Sequence, residues 1–186
     1  MGRLATLCLF VLPLIYSICV CKKVDLTTSD LGRHISNGKF ISAEVLNTNY
    51  YSYTNSNFKV INHHFLSGVI FNLIYEKGNF VALSLFFAFI SFCTALIFSY
   101  IALKLSSTFS YFVSFIFSLP LILERTEIRP EVFSYFYSAL LILFFYLFLQ
   151  KKLSLKVVFI ITAVICAIWI NTHIYFFVAL VITGSF

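Results

Sequence analysis

Charge is what this sequence has least of. Only 11% of its 186 residues are Asp, Glu, Lys or Arg, while 61% are hydrophobic and mean hydropathy is +0.97; soluble domains carry roughly 25% charged residues. That shortage excludes a soluble globular enzyme, a disordered chain and a nucleic-acid-binding domain. Six Gly and three Pro beside 24 Phe and 11 Tyr exclude collagen-like or linker material. Paired cysteine is lacking too. Cys8, Cys19, Cys21, Cys93 and Cys166 are odd in number, sit mostly in apolar runs and show no metal-binding spacing. They read as small membrane-facing residues in a polytopic membrane protein.

The long apolar runs that remain set the architecture. Leu4 to Cys21 reads as an uncleaved first span. No small-x-small cleavage site follows it, Pro13 lies mid-run, and Ile18 and Val20 are too bulky for a lipoprotein site. From Lys22 to His64 the chain is polar, far longer than an ordinary helix connection. Phe65, Leu66, Val69, Ile70, Leu73 and Ile74 then make a helical stripe, with Ser67, Gly68 and Asn72 off it. At about 20 Å this helix is shorter than a hydrocarbon core of about 30 Å, so it is expected along the interface. Further runs cover 80–103, 109–123, 132–149, 157–170 and 174–186. The expected fold is an all-α membrane protein with about six transmembrane helices. Its parts are a first span (1–21), a long outer loop with an interfacial amphipathic helix (22–79) and further spans (80–186). Because the last run stops without a polar tail, the chain is expected to be the N-terminal part of a longer protein.

Loop charge sets the orientation. The segment 150–156 holds Lys151, Lys152 and Lys156 and no acid, and placing it in the cytoplasm puts Lys104 and Arg3 there as well. The segments 22–64, 124–131 and 171–173 then share the outer face. They contain every acid except Glu76, and all four histidines.

Three clusters on that face carry candidate chemistry. Among Glu124, Arg125, Glu127, Arg129 and Glu131, Pro130 suits a helix start and Glu131 complements its positive end. Glu124 with Arg125 reads as a self-paired border charge. Arg129 reads equally as border charge and as a bidentate grip on phosphate. In Trp169-Ile-Asn171-Thr-His173, Trp169 fits an aromatic belt. Asn171 and His173 need partners at that depth, either on a neighbouring helix or in a polar cavity. In the long loop, Ser29 or Asp30 could cap a helix running to Gly38; equally, Asp30 could act as a general base beside Arg33 and His34. His63 and His64 face the headgroup level. Two adjacent imidazoles suit a shared metal poorly, and one alone is open to a metal or a hydrogen-bonded substrate.

Taken in order, Ser29-Asp30-Leu-Gly-Arg33-His34, Thr48-Asn-Tyr-Tyr-Ser-Tyr-Thr54, Asn62-His63-His64-Phe-Leu66, Arg125-Thr-Glu-Ile-Arg129-Pro-Glu-Val-Phe-Ser134 and Trp169-Ile-Asn171-Thr-His173 form a pattern. It resembles the N-terminal half of the GT-C superfamily of integral membrane glycosyltransferases. The likeness is closest to the bacterial branch of protein O-mannosyltransferases and lipopolysaccharide sugar transferases. The resemblance implies transfer of a sugar from a polyprenyl-phosphate carrier to a lipid, glycan or protein hydroxyl, on the outer face of the bacterial inner membrane. It implies Asp30 as the essential carboxylate, with Asp25 a weaker candidate, and a juxtamembrane helix from His63 to Tyr75 bordering the carrier groove. In the family, Trp-x-Asn-x-His is commonly followed by Gly, whereas this chain has Ile174. Arg129, Arg33 or a divalent cation could assist the leaving phosphate. Arg33, His34, His63, His64, Arg129, Asn171 and His173 are the expected substrate-binding set. The competing readings are a transporter, which would place charge or helix breaks mid-span, and a non-catalytic assembly subunit.

Overall fold

The computed structural model describes residues 2–21, 24, 30–39, 49, 52–59, 62–124 and 127–186. The expectations for Asp25, Ser29 and Arg125, and much of the Thr48–Thr54 motif, lie outside these residues. The described elements are helical: α1 (Arg3–Val20), α2 (Leu31–Lys39), α3 (Phe65–Leu105), α4 (Thr108–Leu123), α5 (Glu131–Leu149), α6 (Leu155–Thr172), a 3₁₀ turn (Ile174–Phe177) and α7 (Val178–Gly184). Four helices, α1, α3, α5 and α6, are long and apolar enough to cross a membrane. The helix α4 and the segment Ile174–Gly184 are apolar but shorter.

Each chain reversal follows from local residues. Ser107 caps α4 by accepting a hydrogen bond from the Ser110 amide at 3.1 Å, and Ser154 caps α6 through the Val157 amide at 3.4 Å. At the end of α5, Lys151 takes a left-handed conformation (φ 57°). Its amide donates to the Phe148 carbonyl at 2.8 Å and that of Lys152 to Leu147 at 3.0 Å, a Schellman closure usually built on glycine. The helix α3 is broken at Gly78 and Asn79. Asn79 has φ 55° and ψ −154°, a region costly for any residue with a side chain. The sequence separates an arm ending near Gly78 from a following span, and the break falls at that point.

Only 22–33% of each span is buried, and the interior is mainly apolar with a few hydroxyls among it. Small and polar residues face inward and join helices, as expected where lipid already solvates apolar surface. The Ser17 hydroxyl donates to the Ala88 carbonyl at 2.7 Å, linking α1 to α3, and Tyr111 OH donates to Ser99 Oγ at 2.7 Å, linking α4 to α3. The arm of α3 follows the same rule. Ser67, Gly68, Phe71 and Asn72 are buried while Leu73, on the apolar stripe, is half exposed. The stripe that identified this helix is therefore not its main packing face.

Two cores mark the ends of the bundle. Val20, Leu31, Phe71, Ile128, Val132 and Trp169 share one cluster, and Ala5, Leu9, Leu12, Leu103 and Tyr111 form the other. The polar segments before α3, before α5 and after α6 thus converge at one end, and Arg3 and Lys104 at the other, as loop charge requires.

Candidate functional site

The helix α2 is short and polar, so its place depends on tertiary contact. It lies on the α3 arm through a glycine pair. A Cβ built on Gly38 would stand 2.0 Å from the Gly68 carbonyl oxygen, and one on Gly68 would stand 2.8 Å from that of His34. This close approach buries Leu31 and His34 and gathers the four histidines. The His34 ring meets His64 edge-on at 5.2 Å between centroids, His63 and His64 are 4.2 Å apart, and His64 stacks on His173 at 5.1 Å. His63 and His64 lie in the turn ahead of α3, where adjacent side chains can meet. Among the described residues, no group of three His, Cys, Asp or Glu side chains is arranged to hold a metal ion.

Hydrogen bonds fix the rings. The Trp169 indole N–H donates to Ser134 Oγ at 2.8 Å, and Ser134 Oγ lies 2.7 Å from His173 Nδ1. With its oxygen accepting from Trp169, the Ser134 hydroxyl can donate to His173 Nδ1, an arrangement that leaves the His173 ring proton on Nε2. His64 Nδ1 faces the Thr172 carbonyl at 3.5 Å. A carbonyl only accepts, so Nδ1 is protonated and Nε2 is left as an acceptor. The pair therefore carries one donor and one acceptor nitrogen, which suits a hydroxyl-bearing ligand. His34 Nδ1 is buried with no hydrogen-bond partner among the described residues.

Three of these imidazoles, His34, His64 and His173, take up the charging proton only well below pH 7. Burial, then the neighbouring His64 and Arg33, pushes His34 down to about 3, with Asp30 opposing. Burial, then His63 and His173, lowers His64 to about 4; burial and His63 do the same for His173. A base so far below operating pH is a weak proton acceptor, which favours hydrogen bonding over general-base work.

The other expected residues divide. Asp30 precedes α2, accepts the His34 amide through its backbone carbonyl at 3.1 Å, and pairs with Arg33 at 3.2 Å. Both side chains are at least half open to solvent, at 59% for Asp30 and 50% for Arg33. Arg129 pairs with Glu127, and its Nε is buried without a partner among the described residues. Asn171 is exposed and donates to the Ala167 carbonyl of its own helix at 2.8 Å, so it stands apart from His173. Trp169 is fully buried, which corrects its assignment to an aromatic belt: its indole belongs to the Ser134–His173 chain.

Beside Arg129 the bundle opens. A cavity of about 660 Å³ lies between α1, α3, α4 and α5, within the range of small-molecule sites. It is mainly apolar, with hydroxyls from Tyr16, Ser91, Thr94, Ser99, Tyr111 and Ser118. A separate recess of about 30 Å³ lined by Glu127, Arg129 and Glu131 shares Phe87, Val132 and Tyr135 with it, so the Arg129–Glu127 pair lies next to the apolar groove.

Sequence reasoning missed Ser134, the Gly38–Gly68 contact and this groove. The spacing of Trp169 and His173, four apart on one helix face, was the one available signal for the hydrogen-bonded chain. No family model, curated protein or solved structure matches the chain.

Proposed function

We propose that the chain works as a membrane glycosyltransferase of the GT-C type, moving a sugar from a polyprenyl-phosphate carrier to a lipid, glycan or protein hydroxyl. The observation that carries this reading is the apolar groove with Arg129 next to it. An isoprenoid tail would lie in the groove, and a phosphate would have to displace Glu127 from the Arg129 guanidinium to be gripped there. Asp30 would take the acceptor proton, Arg33 would steer anionic groups, and His64 and His173 would hydrogen-bond sugar hydroxyls beside His34 and His63. In this reading α4 and Ile174–Gly184 complete about six spans. The α3 arm lies along the interface, and the histidine end faces outward from a bacterial inner membrane.

The test is photo-crosslinking of a polyprenyl-phosphate analogue to the chain in lipid nanodiscs, with transfer of radiolabelled sugar measured in the same membranes. Arg129→Ala should lower crosslinking at least tenfold, and Asp30→Asn should abolish transfer while leaving crosslinking intact. Equal labelling of wild type and Arg129→Ala would refute the carrier site. A second reading, a transporter, draws on the hydroxyls lining the cavity at span depth. It predicts passage of a solute across sealed vesicles without any transfer product.

A further inference from the structure

We propose that α2 is an acid-released strap, held across the α3 arm by uncharged imidazoles and let go when they take up protons. The proposal is independent of the glycosyltransferase reading. Its basis is geometric. The strap contributes His34, the arm His64 and the end of α6 His173, with successive ring centroids 5.2 and 5.1 Å apart. The contact works only while these rings are neutral, because charges at that separation repel and have little water to screen them.

The seat is also intolerant of adjustment. The backbones touch at Gly38 and Gly68, so the strap cannot slide to spread the charge without leaving the arm. His34 Nδ1 is buried without a partner, and a proton placed there has no acceptor among the described residues. On the far side of the cluster, His173 is bonded to Ser134, which in turn accepts from Trp169; this anchors His173 to the bundle, not to the strap. The charged groups acting on the rings are Arg33, which opposes protonation, and Asp30, which favours it, both on α2; His63 adds a further imidazole. The elements α5 and α6 present the uncharged Ser134, Trp169 and Thr172, and Tyr175 stands 4.4 Å from His173.

The direction follows from linkage. A released histidine binds protons near pH 6.5 and a strapped one only near 3 to 4. Below about pH 6.5, each ring that regains its ordinary affinity therefore shifts the balance toward release, by up to about tenfold per pH unit. The two facing rings, His34 and His64, together give up to about a hundredfold per pH unit, while His173 is lowered by burial and His63 and stays with the bundle. Release uncovers Gly68, Phe71 and the His64–His173 pair, so the strap controls access to the hydrogen-bonding nitrogens.

The experiment is hydrogen exchange of the α2 amides with the whole chain in nanodiscs at pH 7.5, 6.0 and 5.0, corrected for the intrinsic exchange rate. The wild type should lose at least tenfold protection over 31–39 by pH 5.0 while α5 and α6 keep theirs. The double variant His64→Asn/His173→Asn retains an amide where each Nδ1 was, and should keep the strap protected at pH 5.0. His34→Asn should give a shallower response than wild type. Unchanged protection of the wild-type strap at pH 5.0 overturns the proposal. Simultaneous loss in α5 and α6 does so too, since acid would then be unfolding the bundle. So does release of the double Asn variant with wild-type steepness.

Discussion

Replacing Gly38 with alanine should lift α2 from the arm, and the structure allows the size of the effect to be worked out. The new methyl would meet the Gly68 carbonyl oxygen at 2.0 Å, its carbon at 2.2 Å and the Val69 nitrogen at 2.7 Å. All three are backbone atoms in a helix, so no side chain can rotate away. Ordinary contact begins at 3.4 Å, and the shift needed to reach it unseats the buried Leu31 and His34. Overpacking costs about 1–3 kcal/mol and loss of a buried leucine about 1.5–3 kcal/mol. Alanine returns only about 1 kcal/mol through helix propensity. A net loss of about 2 kcal/mol raises amide exchange across Leu31–Lys39 roughly 30-fold. Gly32→Ala is the matched control, because a Cβ there meets nothing within 4 Å; it should leave the helix as protected as before, or more so. Gly68→Ala, with its nearest contact at 2.8 Å, should fall between. If Gly38→Ala exchanges no faster than Gly32→Ala, the glycine seat does not hold α2 and the argument fails.

Other consequences can be checked on the same preparation. Ser134→Ala leaves the buried Trp169 N–H and His173 Nδ1 without their shared partner. It should cost about 1–3 kcal/mol in thermal unfolding and shift the emission of the chain's single tryptophan. Lys151→Gly removes a side chain from the left-handed closing position of α5. It should stabilise the chain by about 1 kcal/mol, read as a raised midpoint in a thermal scan.

The spans were legible because apolar length is a strong signal: the runs 132–149 and 157–170 lie within two residues of α5 and α6 at each end. Loop charge correctly gathered the polar segments at one end. Rotational phase was not legible. The helix α6 is apolar all round, so nothing distinguished exposed Asn171 from buried Thr172 beside it. The arm misled in the opposite way, since its apolar stripe is only partly buried, with Leu73 outside, while Ser67, Gly68, Phe71 and Asn72 beside it make the closest contact. The meeting of Gly38 with Gly68 depends on the path of the chain between them, which periodicity does not encode. Nor did spacing foretell that His34, His64 and His173 share one cluster, because they come from three separate segments.

The break at Gly78 and Asn79 bears on bilayer thickness. An unbroken helix of 41 residues would run to about 60 Å, roughly twice the hydrocarbon core. Interrupted there, the two halves have a joint between them. A thinner or thicker membrane can then be met by a change of angle at one residue pair, without tilting α1, α5 and α6 together. The arm is tied to the end of α6 by the contact of His64 with Thr172. A change of angle at the joint would then move the half of α3 beyond Asn79 while leaving the contact of His64 with Thr172 in place.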